Sequence, residues 1–517
     1  MRRGVRLLSS CGVGLAVGCA GRPVILPAGY LPPPANLIDV QAAPSPLVTQ
    51  PVSPPPADKK KGVFDLPAKL PGASATPIVP PKFDKAANAA DRLKAVTDKY
   101  PTVVPVADAA PAGAGAPLTL ADLQQMAEAN SPVLRQARAD AEASYGQVVQ
   151  AGLHPNPTVG YQVDQAQPRL SIPPGATFSG AGQHGGFVNQ LIVTAGKLTL
   201  AQRVAGFDFV NALVAVRKAR VAVTAAVRQQ YFAVLVARQN LEVNTALHSL
   251  AKQVYELQLK QVAAGEAAGY EPLQLYAQAV QAENTVTQAD ATYRAASKQL
   301  AAAVGQPEWT APALVGRADV PAPVFDIEML KARILEQHTD VLTAKNTIEQ
   351  ARANLTLQQR LPIPDLQTNT YHQYDNATQA YQFGVQIGIQ LPISDKNQGN
   401  IRTAERKIAS AGQALAAAQF SLIGTLAEAF GRYEANTKIA ANYRDKVLPS
   451  LTQAYQSLVR RYQVEPDKVG FNDIVVAQQN LAQALQSYLS ALGGQWTAVV
   501  DLATAGQLDE LFPNGAK

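Results

Sequence analysis

The stretch 381–391, with the sequence YQFGVQIGIQL, alternates strictly between apolar side chains and glutamine or glycine. A period of two residues places the apolar set on one face of a β-strand and the other set on the opposite face. About 9–11 tilted residues cross a bilayer, and this alternation is typical of transmembrane strands that border a watery lumen. We therefore predict a membrane-spanning strand whose lumen-facing residues are Gln382, Gly384, Gln386, Gly388 and Gln390.

Three further stretches are weaker strand candidates. Residues 159–164 show the same alternation over a shorter length, and 186–194 and 366–374 are less regular. The last two are assigned as strands mainly because the chain repeats itself, as described below. A soluble sheet with one buried face is the alternative. The export signal at the start of the chain and the lack of an apolar helix long enough to cross a membrane favour the transmembrane interpretation.

Long helices follow from the placement of proline. No proline occurs from residue 175 through 271, between Pro392 and Pro449, or between Pro466 and Pro513, and these stretches are rich in helix-forming residues. Residues 196–265 alone would form a helix about 105 Å long. Apolar residues recur at alternating steps of three and four, the pattern of a coiled-coil seam, at Val243, Leu247, Leu250, Val254 and Leu257 and at Leu448, Leu451, Tyr455, Leu458 and Tyr462.

The chain contains two copies of one unit, about 200 residues apart. Four landmarks keep their order: 131–134 matches 339–342, 155–157 matches 362–364, 190–191 matches 390–391, and 277–278 matches 477–478. Each unit is predicted to run helix, strand, loop, strand, long helix, turn, helix. We place the first unit at residues 117–315 and the second at 316–511, followed by a tail at 512–517.

The start of the chain has the features of an export signal. Arg2, Arg3 and Arg6 precede a short apolar stretch within residues 1–18, and small residues then lead into Cys19. This arrangement is similar to a bacterial lipobox and predicts lipidation of Cys19, with an ordinary cleaved signal as the alternative. Twenty of the 37 prolines lie between Pro23 and Pro117, which predicts a largely extended or disordered linker over residues 19–116. A short helix around 84–99 is compatible with that interpretation, and a small unrecognised domain is its alternative.

Composition excludes several classes of protein. The net charge of +6 includes three arginines of the predicted signal, and the remaining charge of about +3 is too small for a nucleic-acid-binding surface. The two cysteines, Cys11 and Cys19, both lie near the start. A disulfide scaffold, a cysteine-ligated zinc site and a cysteine nucleophile are therefore not expected.

Four strands cannot close a barrel, and an open sheet edge is not tolerated in lipid. The chain must therefore assemble, with eight strands from two copies or twelve from three. The shorter helices placed end to end approach the length of the long one, which favours a hollow cylinder of packed helices that continues the strand barrel.

Residues 116–511 resemble a TolC-type outer-membrane factor, in the branch related to metal-cation and multidrug efflux channels. The resemblance rests on 361–366, LPIPDL, at the start of a strand, and on 390–401, QLPISDKNQGNI, between strand and helix. Residues 195–198 occupy the equivalent place in the first repeat. Arg461-Tyr462 and 473–478, DIVVAQ, are similar to the family's helix-turn-helix tip, and 262–266 fits the first tip. Leu273 departs from the pattern, because an aspartate is usual there.

The resemblance implies a homotrimer with a twelve-stranded outer-membrane barrel and a periplasmic helical barrel. It further implies a passive exit duct that docks through its tips onto a periplasmic adaptor and an inner-membrane pump, which we expect to be of the RND type. The cargo expected is small solutes, either drugs or metal cations. An exit duct for type I polypeptide secretion and a non-conducting coiled-coil envelope lipoprotein are the alternatives.

The predicted tips supply the candidate docking and gating residues. Docking is assigned to Gly265, Glu266, Gly269, Val464, Gly470 and Asp473, and an entrance gate to Arg460, Arg461, Glu465 and Asp467. Rings of acids at the entrance would attract cations, and the arginines would pair with these acids in the closed state. Helix N-capping by Asp473 or Asp467 and ordinary solvation are the alternative.

No enzymatic, cofactor or metal site is expected. Gly196-Lys197-Leu198-Thr199 resembles the end of a phosphate-binding loop, but Leu191 stands where the leading glycine belongs. The five histidines, His154, His184, His248, His338 and His372, form no metal-binding pair at helical spacing. We place His184 in an external loop as a solvated residue.

Overall fold

The computed structural model describes residues 78–79, 81–82, 88–105, 117–164, 182–309, 313–376, 378–465 and 470–511. The predicted signal peptide, Cys19, most of the proline-rich segment, Asp467 and the C-terminal tail lie outside the described residues. The described chain divides into two units, which we take in turn.

The first unit contains residues 141–164, 182–211, 345–376 and 378–412 of the described chain and is built on a four-stranded antiparallel sheet. The strands are β1 (Thr158–Asp164), β2 (Gln183–Ile192), β3 (Leu366–Asp375) and β4 (Ala380–Ile389), in the order β1-β2-β3-β4. Phe187 pairs with Gly160 on one side and with Tyr371 on the other, and Tyr371 pairs in turn with Gly384. This register connects the two repeats through β2 and β3 and leaves β1 and β4 as the edges of the sheet.

The predicted strands are all present, with small shifts in their ends. The strand predicted at 381–391 is β4, which ends at Ile389, so Gln390 follows the strand rather than belonging to it. His184 lies in β2 and not in an external loop. Gly185 and Gly186 follow it, and this glycine pair hides the alternation that would have assigned the residue to a strand.

The second unit contains residues 88–105, 117–140, 212–309, 313–344, 413–465 and 470–511 of the described chain and is helical. Its core is formed mainly by four long helices, and Trp496 lies at the centre with 1% of its surface exposed. The Trp496 ring stacks on Phe232 at a centroid distance of 3.9 Å, and its indole Nε1 donates a hydrogen bond to the carbonyl of Ala318 at 2.7 Å. The buried indole therefore has the polar partner that its N–H requires.

The helices of the chain follow the predicted repeat. They are α1 (Ala89–Thr97), α2 (Leu120–Asn130), α3 (Pro132–Ala151), α4 (Lys197–Ala264), α5 (Glu271–Ala303), α6 (Ile327–Gln337), α7 (Thr339–Arg360), α8 (Gln398–Asn442), α9 (Leu448–Val464) and α10 (Phe471–Ala505). A single π-helical turn, Tyr443–Val447, joins α8 to α9. The order helix, two strands, long helix, helix occurs twice, and α4 alone contains 68 residues.

One expectation about the helices is wrong. The continuous helical stretch Gln398–Tyr462 contains an 18-residue window with a mean hydropathy of 1.3, which is long and apolar enough to cross a membrane, and only 11% of that window is buried. Its apolar character comes from runs of alanine with Phe420, Leu422 and Ile423. Alanine-rich sequence was recognised as helix-forming, but its contribution to the mean hydropathy was overlooked. Most of this apolar window therefore lies outside the buried core of the single chain.

Candidate functional site

The register of the sheet separates its residues into two chemically different faces. One face, here called the apolar face, carries Val159, Tyr161 and Val163 of β1 and every apolar residue of β4: Tyr381, Phe383, Val385, Ile387 and Ile389. The opposite face, here called the polar face, carries glutamine, asparagine, aspartate and glycine from all four strands: Gly160, Gln162, Asp164, Gln183, Gly185, Asn189, Gln367, Asn369, Gln373, Asp375, Gln382, Gly384, Gln386 and Gly388. All the predicted lumen-facing residues within β4 belong to this polar face.

Two aromatic side chains interrupt the polar face and cover glycines on the neighbouring strand. A methyl carbon built on Gly384 would lie 2.2 Å from Cζ of Tyr371, and one built on Gly160 would lie 2.4 Å from Cζ of Phe187. Glycine is therefore required at both positions because a ring occupies the space of a side chain. Gly388 differs, since no atom lies within 4 Å of its Cβ position.

Acids and amides meet on the polar face where the strands approach their loops. Gln162 and Gln373 both donate hydrogen bonds to Oδ2 of Asp164, at 3.0 and 2.9 Å. Thr378 and Gln382 both donate to Oδ2 of Asp375, at 2.9 and 3.2 Å. The two carboxylates are thus held in place on this face by hydrogen bonds from neutral donors. Sequence inspection missed this cluster because its members come from β1, β3, β4 and the turn between β3 and β4.

The same end of the apolar face carries a continuous row of aromatic and histidine rings. The Tyr161 hydroxyl lies 3.0 Å from Nδ1 of His184. The His184 ring lies 5.9 Å from that of Tyr374, and Tyr381 contacts both Tyr374 and His372 at 5.1 and 5.2 Å between centroids. Rings with an apolar body and a polar edge are enriched where a transmembrane sheet meets the lipid headgroups.

The turn from β2 into α4 is fixed by a partly buried ion pair. Gly196 has φ +69°, a left-handed conformation that glycine adopts without strain, and Lys197 begins the helix. The Lys197 ammonium donates to Oδ1 of Asp365 at 2.9 Å and to the carbonyl of Ile363, and the Thr194 N–H donates to the same Asp365 oxygen at 2.8 Å. Burial alone would raise the pKa of Asp365, but the hydrogen bonds from Thr194 and Lys197 hold that pKa below its ordinary value.

This arrangement leaves no room for a phosphate at Lys197. The ammonium is engaged by protein oxygens, and only 9% of the lysine side chain is exposed. The second repeat makes its turn differently. Asn397 has φ +60°, and its side-chain amide donates to the carbonyl of Gln358 at 2.8 Å. The two motifs that carried the family resemblance at this point are therefore structural turns.

The second helical tip is the turn between α9 and α10. Val464 ends α9 with 75% of its surface exposed, and Arg461 lies 3.6 Å from Glu465 of the same turn. Asp473 is the third residue of α10, and its Oδ2 accepts a hydrogen bond from the Gly470 N–H at 3.0 Å. Asp473 thus satisfies a free backbone donor at the start of the helix, although from inside the first turn rather than from the N-cap position.

The first helical tip is the turn between α4 and α5. This turn and the adjoining ends of the two helices are here called the first tip hairpin. Gly265 directly follows α4 and has φ +84°, a left-handed conformation that breaks the helix. The Glu266 N–H donates to the carbonyl of Gln261, and the Gly269 carbonyl accepts from the Tyr100 hydroxyl at 2.8 Å. Glu266 and Glu271 line a groove of about 700 Å³ together with Tyr462, Gly470 and Phe471 of the second tip. Of the predicted docking residues, Glu266 of the first tip and Gly470 of the second thus line the same groove.

The predicted latch between arginines and acids is only local in one chain. Arg461 contacts Glu465, four residues away, and the Glu271 carboxylate accepts from Gln258 on α4. Among the described residues, no group of three or more His, Cys, Asp or Glu side chains could hold a metal ion. Burial, with Lys218 and Arg217 nearby, lowers the pKa of His338 to about 4, so that this histidine is a neutral core residue.

Comparison with known proteins points to one family. The family model described as outer membrane efflux protein matches residues 123–306 and 330–506, more than half of the chain. The cobalt-zinc-cadmium resistance protein CzcC of Cupriavidus metallidurans is 24% identical over 412 residues, which cover 79% of this chain and 94% of CzcC.

Solved structures show the same fold. The outer membrane protein VceC of Vibrio cholerae has a TM-score of 0.61 at 18% identity and covers 75% of this chain and 95% of its own. The MtrE outer membrane channel of Neisseria gonorrhoeae has a TM-score of 0.61 at 15% identity and covers 79% and 97%. These similarities confirm the predicted fold class, long helices combined with four strands per protomer. The matched family consists of channels, as expected of a chain that is not an enzyme.

Proposed function

The chain belongs to the outer membrane efflux protein family, and from this premise we propose that it is a passive trimeric exit duct of a tripartite efflux system. In this role it accepts small solutes from a periplasmic adaptor and an inner-membrane pump and releases them outside the cell. The observation that carries the proposal is the separation of the sheet into a polar face and an apolar face. One face suits water and solute, and the other suits lipid.

The unpaired edges of the sheet support assembly of several copies, and we propose three. β1 and β4 have no neighbour beyond them in the described chain, and an open edge in lipid leaves backbone N–H and C=O groups without partners. Pairing β4 of one copy with β1 of the next closes twelve strands in three copies. The exposed apolar window of Gln398–Tyr462 offers a second surface for contact between copies.

We propose that the adaptor docks at the tip end of the long helices. The two turns at this end carry the exposed groups Val464, Glu266 and Tyr270, and Arg460 and Arg461 lie one helical turn from Val464. In the trimer the arginines would face acids of neighbouring copies and close the entrance, and opening would require the helices to shift. In this proposal an inner-membrane pump of the RND type provides the energy, and the duct is passive.

We propose divalent metal cations as the cargo. CzcC is named for resistance to cobalt, zinc and cadmium, and the polar face holds Asp164 and Asp375 near its outer end. Three copies would place six carboxylates around the lumen, and such rings favour cations over anions. We also propose that Cys19 carries a lipid anchor in the outer membrane, which a mass measurement of the N-terminal peptide would test.

The decisive experiment is conductance of the purified full-length protein in a planar bilayer. We expect a trimeric mass in detergent, a steady conductance in the Arg460→Ala variant, and preference for potassium over chloride. Asp164→Asn combined with Asp375→Asn should reduce that preference without reducing trimer yield. A monomeric protein, or no conductance in either wild type or Arg460→Ala, would overturn the proposal.

A further inference from the structure

Residues 88–105, here called the N-terminal brace, pack against the first tip hairpin. Val96 and Tyr100 are 0% and 4% exposed, and Val103 is also buried. With Leu93 they form a series at steps of three, four and three residues, first on α1 and then on the extended stretch after it. The brace lies N-terminal to the family match, which begins at residue 123.

The first tip hairpin provides an apolar surface that the brace completes. The shared cluster consists of Val96, Tyr100 and Val103 with Ala251, Val254, Tyr255, Leu259, Val262, Ala263, Leu275, Ala279 and Val475. Two hydrogen bonds fix the alignment, because the Tyr100 hydroxyl donates to the Gly269 carbonyl at 2.8 Å and the Tyr255 hydroxyl donates to the Pro101 carbonyl. Burial, assisted by the neighbouring Tyr276 and Tyr100 hydroxyls, raises the pKa of Tyr255 to about 12.

Leu273 stands where an aspartate is usual in the family, and it packs against the cluster that contains the brace. Leu273 is the third residue of α5, as Asp473 is the third residue of α10. Asp473 is exposed and accepts from Gly470, whereas Leu273 packs against the cluster that contains the brace. An aspartate at 273 would place a carboxylate beside this apolar cluster, at a cost in solvation. The first tip hairpin has thus become a partner for an apolar segment, while the second keeps a solvated tip.

We propose that the N-terminal brace is a built-in ligand of the first tip hairpin, which excludes other proteins from that hairpin and leaves the second tip, α9–α10, as the surface that docks the adaptor. The second part rests on the proposed function. In support, the second tip exposes Val464 and Val476, and no segment of the described chain covers them.

The connection from the predicted anchor is long enough. About 70 residues separate Cys19 from Asn88, and a chain of that length reaches up to about 230 Å when fully extended. The axial length of α4 is about 102 Å, less than half of that reach. A lipid at Cys19 and a brace bound to the tip are therefore compatible in one molecule.

Hydrogen exchange of the purified full-length trimer tests whether the brace is bound. In Val96→Asp and Tyr100→Ala, amides of 251–263 and 271–279 should exchange at least tenfold faster than in wild type, because the apolar surface opens to water. Val104→Asp is the matched control, since Val104 lies in the same segment but is 61% exposed, and it should change nothing. Equal exchange in all four proteins would overturn the proposal.

Adding the brace as a separate peptide distinguishes loss of brace binding from a folding defect. In a variant whose residues 88–105 are replaced by a Gly/Ser linker of equal length, a synthetic peptide of residues 88–105 should restore protection of the same amides. A peptide carrying Val96→Asp should not. Failure of the wild-type peptide to protect a variant that still forms conducting trimers would also overturn the proposal.

Photocrosslinking in cells that contain the complete efflux system tests the consequence for docking. A benzophenone amino acid at Val476 should form an adduct with a periplasmic adaptor identified by mass spectrometry, whereas one at the exposed Gln274 of the first hairpin should do so only when the brace is replaced. An adaptor adduct at Gln274 with the brace intact would overturn the exclusion. Adducts at neither position would refute tip docking, while exchange and conductance would still report separately on the brace and the duct.

Discussion

Replacing Gly384 by alanine should destabilise the sheet, because the Tyr371 ring fills the space that a methyl group needs. The added carbon would lie 2.2 Å from Cζ and 2.3 Å from Oη of Tyr371, whereas non-bonded carbon atoms approach to about 3.5–4.0 Å. The ring must therefore swing away from β4, or the two strands must separate. Overpacking of this kind costs about 1–3 kcal/mol.

Gly388→Ala is the matched control for this prediction. It lies on the same strand and the same face, and no atom lies within 4 Å of its Cβ position. Both substitutions reduce the conformational entropy of the unfolded chain equally, which by itself raises the free energy of unfolding by about 0.4–1 kcal/mol. The difference between the two variants therefore isolates the steric cost, and we expect about 2 kcal/mol per protomer from the range for overpacking.

The assay is equilibrium unfolding by guanidinium in lipid vesicles, at one fixed protein concentration because the stability of a trimer depends on it. The Gly384→Ala cost should largely disappear when Tyr371→Ala is also present, which is the outcome of a double-mutant cycle for two groups in contact. Equal stabilities of Gly384→Ala and Gly388→Ala would refute the reasoning, as would a cost that persists without the Tyr371 ring.

Three further substitutions test other parts of the structure. Asp365→Asn should lower the free energy of unfolding by about 2 kcal/mol at neutral pH, because it leaves the partly buried Lys197 ammonium without its counter-charge. Since the pKa of Asp365 is lowered in the fold, this loss should be full above the ordinary pKa of an aspartate and should shrink as the pH falls through the lowered value. A loss of the same size at low pH would contradict the ion pair. Gly388→Arg should lower conductance while trimers form normally, whereas Ile387→Arg, on the apolar face, should impair insertion into vesicles by about 2–4 kcal/mol; equal assembly defects would contradict the assignment of the faces. Asp473→Ala should lower the temperature of helix unfolding at the second tip by removing about 1 kcal/mol of capping, and Asp473→Asn, which keeps an acceptor, should recover most of it.

The elements of the fold were predictable because their signals are local. Strict alternation predicts a strand at 381–391 and the structure has Ala380–Ile389, and the proline-free stretch predicts a helix over 196–265 where the structure has Lys197–Ala264. The family resemblance was likewise confirmed, since its motifs at the strand ends and tips lie within the matched residues. The lumen-facing set of β4 belongs to one face of the sheet, and its role in conduction stays a prediction.

Contacts between distant strands could not be obtained in the same way. The lumen-facing prediction treats Gly384 and Gly388 as equivalent, but the register places Tyr371 over one and nothing over the other. Likewise, Asp164 and Gln373 come from different repeats and meet only because β2 and β3 pair. A single sequence gives the faces of each strand, whereas the partner across the strand depends on a register set by the whole sheet.

The short helix expected around 84–99 is present as α1 (Ala89–Thr97), but composition alone did not show that this part of the chain packs against the first tip hairpin. A high proline content predicts an extended linker, and that interpretation hides an apolar series at Leu93, Val96, Tyr100 and Val103 that is too short to dominate its surroundings. Leu273 was visible as a departure from the family pattern but had no explanation within its own repeat. The two anomalies lie about 170 residues apart in the sequence and pack into the same cluster. Exposure of the apolar series of the brace to water is unfavourable, and so is exposure of Leu273. Each is therefore more stable when it packs in the cluster that contains the other.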